Sequence, residues 1–238
     1  MKKVRNILAL GLAFVLTVAG TVGVTMAWLQ DDESATNTFT VGNVDIELVE
    51  KFEQNSKLLP ATGSAQDGSL ENGITKEVTV KNTGSENAYI RVHIAIPDVL
   101  DDGADTFDAG SNVLHFNFAE DSIGTGKWDW SKTTGAPYSG DWNYYETTID
   151  NVEYNVYVVT YESEVGSGVE IAEKAMNQVY LDSKVTNDDI EDIIEKLGDN
   201  WKIKVVAEGV QAAGFDNAYE ALNTAFGTPG SYDPFIPQ

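Results

Sequence analysis

The sequence predicts an all-β protein, an antiparallel jelly-roll-like β-sandwich with one or two short inserted helices, preceded by a signal-peptide helix. Three observations lead to this fold class. Apolar and polar residues alternate with period two in many short segments, and turn-forming residues separate those segments. Helical periodicity is clear in only two short stretches near the C-terminus, and 169–178 is an alternative short helix that overlaps the predicted strand 175–181. Because neither an internal repeat nor a domain-length linker divides the chain, we interpret it as one sandwich domain.

The first 27 residues have the layout of a secretory signal peptide. Three cations within the first five residues precede an apolar run from 7 to 24, and small residues follow it up to Ala27. We predict cleavage between Ala27 and Trp28. A retained membrane anchor is the alternative, because the run is just long enough to span a bilayer at about 20 residues. Cleavage is preferred because the run contains several glycines and no basic stop follows it.

Alternating patterns define the predicted strands of the sandwich. They lie at 37–50, 75–82, 88–96, 113–119, 127–131, 142–148, 152–161, 175–181 and 201–211. A change of phase at Gly42 and Asn43 predicts a bulge in the first strand. The strands 75–82 and 88–96 flank a polar turn, so we predict that they pair as a hairpin. A second turn at Asp150 and Asn151 joins 142–148 to 152–161.

Two short helices are predicted near the C-terminus. The first, 188–197, follows a capping Thr186 or Asn187, and the second covers 216–226. Prolines beyond the second helix predict an extended or disordered tail. The resulting layout is a signal peptide at 1–27, an N-terminal arm at 28–40, a single sandwich domain at 41–227 and a Pro-rich tail at 228–238.

Composition restricts the partners and the chemistry. The 15 basic and 38 acidic residues give a formal net charge of −23, which repels nucleic acids and anionic lipid surfaces. We therefore expect no nucleic-acid partner, and contact with a membrane only before processing. The chain has no cysteine, which excludes thiol catalysis and Cys-based zinc sites. An exported chain without disulfides favours a Gram-positive producer.

Metal sites have weak support in the sequence. His93 and His115 each lie within a strand pattern and outside any His-Glu-x-x-His motif, so we predict neither a zinc centre nor a catalytic residue. His93 is expected to face outward or to pack at an edge. Calcium is a weak candidate, because one loop concentrates carboxylates. Its acidic residues are Asp98, Asp101, Asp102, Asp105 and Asp108. Their spacing differs from that of an EF-hand, so a solvated acidic loop is the preferred interpretation.

Two further motifs have competing interpretations. The pentapeptide at 59–63, Leu-Pro-Ala-Thr-Gly, resembles a sortase wall-anchoring signal. It lies far from the C-terminus, without the apolar span and basic tail of such signals, so we interpret it as a turn. Trp128, Trp130 and Trp142 are candidates for a carbohydrate-stacking platform, but packing within the sandwich is the preferred interpretation.

Three blocks of the chain resemble one known family. They are 27–31 with 37–42 and 44–46, then 76–85 with 88–92, and finally 207–215. In these blocks the sequence resembles the TasA/camelysin family, exported proteins of Gram-positive bacteria that are processed by a SipW-type signal peptidase. The region 98–168 matches no family pattern that we can name.

The resemblance implies a secreted jelly-roll subunit of extracellular biofilm matrix fibres. In such fibres the mature N-terminal segment leaves its own domain and completes the sheet of the next subunit. By that logic 28–40 is the donor strand, with Trp28, Leu29 and Phe39 as its anchors. The implied partners are further copies of the chain in a head-to-tail polymer, the SipW-type peptidase and an accessory fibre protein. The implied location is the extracellular matrix or the cell surface.

Other functions stay open at this point. Camelysin relatives have been labelled metalloproteases, which makes a cell-surface metallopeptidase one alternative, although no recognisable zinc-ligand motif supports it here. A monomeric, glycan-binding surface sandwich is another. In a monomer, the segment 28–40 would be an ordinary edge strand or a free terminus.

Overall fold

Two antiparallel β-sheets face each other in the computed structural model of the protein, which confirms the predicted all-β sandwich. The structure describes residues 25–28, 44–53, 59–62, 71–101, 114–117, 128–129, 143–198 and 202–235, with 25–28 and 114–117 described as backbone only. Within these residues, no helix has both the length and the apolar character that crossing a membrane requires.

The strands divide into sheet A and sheet B. In chain order they are β1 (Thr25–Trp28), β2 (Ile46–Phe52), β3 (Ile74–Asn82), β4 (Ala88–Pro97), β5 (Leu114–Asn117), β6 (Trp128–Asp129), β7 (Tyr144–Ile149), β8 (Val152–Val165), β9 (Met176–Leu181) and β10 (Lys202–Gln211). Sheet A has the order β1-β10-β4-β8-β6, and β7 pairs with β8 beside β6. Sheet B has the order β2-β3-β9-β5.

The main core lies between the two sheets. Alternate residues of β4, namely Ile90, Val92, Ile94 and Ile96, face it and are fully buried. The edge strand β2 contributes Ile46 and Leu48 from its inner face, while Glu47 between them is exposed. In contrast, all ten residues of β4 are buried, because the outer face of sheet A is also covered.

The predicted hairpin between 75–82 and 88–96 is wrong. β3 pairs with β2 and β9 in sheet B, whereas β4 pairs with β10 and β8 in sheet A. The connection between them therefore crosses from one sheet to the other. Asn82 stabilises this crossing, since its Nδ2 donates to the carbonyls of Glu86 and Val165, at 2.8 Å each. Alternation identified both strands, but it does not specify which neighbour a strand pairs with.

The second predicted hairpin is confirmed. β7 and β8 pair in register from Ile149 and Val152 outward. The two turn residues, Asp150 and Asn151, have φ angles of 54° and 65°. Two successive positive φ angles match the twist of the flanking strands, and Asn and Asp tolerate this conformation better than other non-glycine residues.

Both predicted helices are present. The first, α1 (Asn187–Leu197), begins with a capping box between Thr186 and Asp189 and buries Ile193 and Leu197. The second, α2 (Ala218–Phe226), is capped by Asn217. It lies on the outer face of sheet A, where its small apolar residues pack against Tyr89 and Val210. A short 3-10 helix, Asp98–Leu100, follows β4.

The segment after α2 folds back over sheet A instead of extending away as the prolines suggested. Phe235 is 3% exposed and packs in a second outer-face cluster with Ala95, Tyr154, Val156 and Val206. α2 and this segment (227–235) therefore cover the outer face of sheet A from opposite ends.

Candidate assembly edge and buried charge sites

One side of sheet A is bounded by β10. On its inner side β10 pairs with β4 from Lys204 to Gln211. On its outer side β1 pairs with it only from Lys202 to Val205. Within the described residues, the rest of the outer edge of β10 has no strand pairing. Unpaired N–H and C=O groups along such an edge are a template for another strand.

The predicted cleavage site lies inside β1. Ala27 is opposite Ile203 and Trp28 is opposite Lys202, so the bond between Ala27 and Trp28 falls between the last two pairs of the register. Three of the four β1 residues belong to the predicted leader. Cleavage at that bond would therefore remove most of the pairing from this edge. The other two predicted anchors, Leu29 and Phe39, lie outside the described residues.

Sheet B ends on the same side with β2. Among the described strands, β2 pairs with β3 alone, from Ile46 to Phe52. β10 passes close to β2, so the β1–β10 side of sheet A and the β2 side of sheet B lie together along one side of the sandwich. The predicted arm leads directly into β2. This side of the sandwich, bounded by β2 and β10, is called the assembly edge below.

A buried ion pair lies at the assembly edge. Lys76 on β3 points inward with a side chain only 1% exposed, and its Nζ is 2.9 Å from Oε2 of Glu50 on β2. The Nζ also lies 6.0 Å from the centre of the Phe52 ring. The pair is incomplete: in the described part of the chain, Nζ of Lys76 has Oε2 of Glu50 as its one hydrogen-bonding partner, and Oε1 of Glu50 has none.

Burial dominates the electrostatics of this pair. Removal from water lowers the pKa of the Lys76 ammonium below its usual range, and the negative charge of Glu50 offsets only part of that effect. An ammonium has three donors, and leaving them unused away from water is unfavourable. The Glu50–Lys76 pair is therefore a buried charge site with unused hydrogen-bonding capacity.

A second buried charge site lies on the outer face of sheet A, between the two apolar clusters. Arg91 on β4 is opposite Glu208 on β10, and its Nε donates to Oε2 of Glu208 at 2.7 Å. The rest of its guanidinium donates to Oδ1 of Asn223 at 3.0 Å, to the Tyr232 hydroxyl at 2.8 Å and to the carbonyl of Gly227 at 3.3 Å. This arginine therefore links β4, β10, α2 and the segment after it.

His93 and two tyrosines complete this second site. Nε2 of His93 lies 3.1 Å from Oε2 of Glu208, and Nδ1 lies 3.2 Å from the Tyr145 hydroxyl. The carboxylate can only accept, which assigns the imidazole proton to Nε2. The Tyr232 hydroxyl donates to the Glu208 carboxylate, 2.6 Å from Oε1. His93 does face outward from the sheet as expected, but α2 and the 227–235 segment leave it 0% exposed.

The pKa shifts match this arrangement. Burial of Glu208 alone would raise its pKa, but the opposing effects of His93, Arg91 and Tyr232 lower it to about 2. Burial lowers the pKa of His93, against the pull of Glu208, so the imidazole is neutral at pH 7. Burial and nearby carboxylates raise the pKa of Tyr145 and Tyr232, which keep their protons. We call this set of residues the Arg91–Glu208 centre.

The predicted calcium ligands are only partly described. Asp98 and Asp101 line an open cleft of about 460 Å³ together with Glu146 and Glu153. Asp101 accepts a hydrogen bond of 2.6 Å from the Tyr157 hydroxyl. Asp102, Asp105 and Asp108 lie outside the described residues. Among the residues that are described, no group of three His, Cys, Asp or Glu side chains could hold a metal ion. Calcium binding by this loop stays a prediction.

The other sequence motifs have structural roles where they are described. Trp128 is 0% exposed, its Nε1 donates to the Glu173 carbonyl at 3.1 Å, and it packs edge-on against Tyr161. Packing, the preferred interpretation, is confirmed for this residue; Trp130 and Trp142 lie outside the described residues. The pentapeptide at 59–63 is more than a turn, because Ala61 donates to the Leu181 carbonyl at 3.0 Å and Pro60 bridges to that residue. His115 lies in β5, opposite Tyr180.

Known proteins offer no further guide to these sites. No protein-family model, no curated protein and no solved structure matches this chain. The resemblance to the TasA/camelysin family therefore depends on its three sequence blocks alone. The assembly edge and the two buried charge sites are interpreted from their own geometry.

Proposed function

We propose that this protein is a secreted structural subunit of extracellular biofilm matrix fibres. In this proposal a SipW-type signal peptidase removes residues 1–27, and the freed arm at 28–40 inserts into the assembly edge of the next copy. Jelly-roll connectivity, a Gram-positive producer and an accessory fibre protein belong to the same proposal, which follows the family resemblance.

The observation that carries the proposal is the pairing of β10. Its outer edge has only the four-residue β1 as a partner among the described strands. Three of those four residues would leave with the leader. An antiparallel sheet that loses an edge strand exposes both backbone groups and the apolar side chains beneath them, and an added strand restores both.

Such an interaction produces filaments for a geometric reason. The arm of one copy and the edge of another are different surfaces, so the contact is heterologous and does not close on itself. Each added copy presents a new free edge, and growth continues. Loss of the three leader cations changes the formal net charge from −23 to −26, and this acidic surface opposes lateral clumping of the filaments at neutral pH.

Electron microscopy and light scattering of the purified mature chain, beginning at Trp28, test the proposal. We expect filaments from the mature chain and none from a variant in which Trp28, Leu29 and Phe39 are all replaced by Ser. That variant keeps its assembly edge, so a small amount added to the wild type should cap growing ends and shorten the filaments.

A matched control replaces exposed apolar residues elsewhere. Leu59 and Val169 are 46% and 48% exposed, and Leu59→Ser with Val169→Ser should leave filament length unchanged. The proposal is overturned if the mature chain stays monomeric at every concentration and pH tested. It is equally overturned if the arm variant forms filaments as well as the wild type.

A further inference from the structure

We propose that the Glu50–Lys76 pair binds a backbone peptide group of the arm donated by a second copy of the chain. This inference rests on the proposed function, and it names one contact point within the assembly edge. The pair would act as a polar anchor beneath the apolar contacts that Trp28, Leu29 and Phe39 are expected to make.

The position of the pair is the first argument. Glu50 belongs to β2, the outermost described strand of sheet B, and lies on the same inward-facing set as Ile46 and Leu48. Lys76 lies on the adjacent strand with its side chain 1% exposed. A polypeptide segment that lies along the side of the sandwich between β2 and β10 would therefore pass next to Glu50.

The unused hydrogen-bonding capacity is the second argument. Within the described residues, Nζ of Lys76 has one acceptor, Oε2 of Glu50, for its three donors, and Oε1 of Glu50 lacks a donor. A peptide group supplies one carbonyl acceptor and one N–H donor at a fixed spacing. It can therefore satisfy both atoms at once.

Charge selects against simpler ligands. A metal cation or an amine would give the Lys76 ammonium no acceptor beyond Glu50, and a small anion would leave Oε1 of Glu50 without a donor. The arm contains no basic residue, so it brings no cation that would compete with Lys76 for Glu50. A water molecule could also serve both atoms, and the experiment below separates it from the arm.

The same geometry explains why this contact would matter for affinity. Hydrogen bonds to buried charged groups contribute more than neutral ones, and leaving them unmade is unfavourable. A donated peptide group would recover that free energy only when a second copy binds. The added acceptor would also raise the depressed pKa of Lys76, which gives a spectroscopic signal.

The experiment uses a synthetic peptide of residues 28–40 as the probe. Its affinity is measured for the mature full chain with the Trp28, Leu29 and Phe39 serine substitutions, which is expected to accept an arm and not to donate one. We expect Lys76→Met in that chain to weaken peptide binding about tenfold or more. Lys51→Met is the matched control, because Lys51 lies next to Glu50 with its side chain 70% exposed and its loss changes the net charge equally.

A second measurement needs no substitution of the pair. In a ¹⁵N-lysine-labelled chain, the Nζ resonance of Lys76 should shift when the peptide binds, and its pKa should rise. Equal affinities for the Lys76→Met and Lys51→Met chains would overturn the inference while the proposed function stands. An unshifted Nζ resonance in the peptide-bound chain would overturn it in the same way, and would indicate that a water molecule serves the pair. Failure of the peptide to bind any of the chains would instead overturn the proposed function.

Discussion

The two buried charge sites of this sandwich differ in completeness. At the Arg91–Glu208 centre, the guanidinium binds four partners and the carboxylate accepts from Arg91, His93 and Tyr232. At the Glu50–Lys76 pair, a single 2.9 Å contact joins two groups that are otherwise unused. Both sites lie on sheet strands and both are almost fully shielded from water.

The difference shows that burial alone does not tell whether a charged group stabilises the fold or is available to a ligand. A buried charge that is fully hydrogen-bonded holds the structure together, and removing one member leaves another uncompensated. A buried charge with unused donors gains little from its single partner, and it can gain from a ligand. The Arg91–Glu208 centre therefore stabilises the fold, and the Glu50–Lys76 pair is the better candidate for binding a ligand.

The largest expected effect contrasts the two sites directly. Arg91→Met leaves Glu208 buried beside a neutral imidazole, and we expect it to lower the free energy of unfolding by about 4 kcal/mol. Lys76→Met removes a single contact and leaves Glu50, whose side chain is 12% exposed, without its cation, so we expect a smaller loss of about 2 kcal/mol. Urea denaturation at pH 7 measures both. Equal losses would contradict the distinction between a complete and an incomplete site.

Lowering the pH should weaken the Arg91–Glu208 centre and so reduce the stability of the fold. The pKa of Glu208 is about 2 in the folded chain against 4.5 unfolded, so its contribution is present above pH 4.5 and is lost as the pH falls towards 2. The shift corresponds to about 3 kcal/mol. Thermal unfolding of the wild type and of Glu208→Gln between pH 7 and 2 measures it, since the variant should lack this part of the pH dependence.

His93 gives a smaller effect at higher pH. Its pKa is lowered by burial, so below about pH 6.5 the unfolded imidazole takes up a proton before the folded one does. Stability is therefore lost as the pH falls from 7 towards 5. In His93→Gln this loss should be reduced, and Glu208, Arg91, Tyr145, Tyr232 and Asp233, which surround the ring, are unchanged in the comparison. Identical slopes for variant and wild type would show that folding does not lower the pKa of His93.

The smallest effect concerns an ion pair in which one partner is buried and the other is exposed. Lys204 on β10 is 3% exposed, and its Nζ contacts Oδ2 of Asp150, which is 76% exposed, at 2.8 Å. Asp150→Asn keeps the positive φ of the turn and removes the charge. We expect a loss of at most about 1 kcal/mol at low salt, which decreases as salt is added. A salt-independent loss would point to the turn and not to the ion pair.

Much of the fold could be predicted because its signals are local. Alternation located β3, β4, β8 and β10, and caps with the following glycines located both helices. The turn at Asp150 and Asn151 specified its own hairpin. These features depend on residues that are neighbours in the sequence.

The two charge sites could not be found in that way. The signal was present, since Arg91 and His93 alternate with buried isoleucines and valines in β4, and Glu208 does the same in β10. Alternation in a single strand predicts one solvent-exposed face, so His93 is expected at the surface or an edge. Burial of the second face depends on α2 and on Tyr232 and Phe235, which lie far along the chain. The hairpin error has the same origin, because strand partners are a non-local property.

Arg91, Glu208 and Tyr232 are far apart in the sequence, so they are synthesised at different times. Tyr232 is 141 positions from Arg91 and 24 from Glu208, yet it contacts both. During synthesis, β4 is therefore made long before the hydroxyl that covers its charges. Until Tyr232 is made, we expect Arg91 and Glu208 to be hydrated and the outer face of sheet A to be uncovered at this site. A product truncated between β10 and Tyr232 would contain every strand described here. It would lack the segment that covers the outer face of sheet A, and we expect it to be more sensitive to proteolysis.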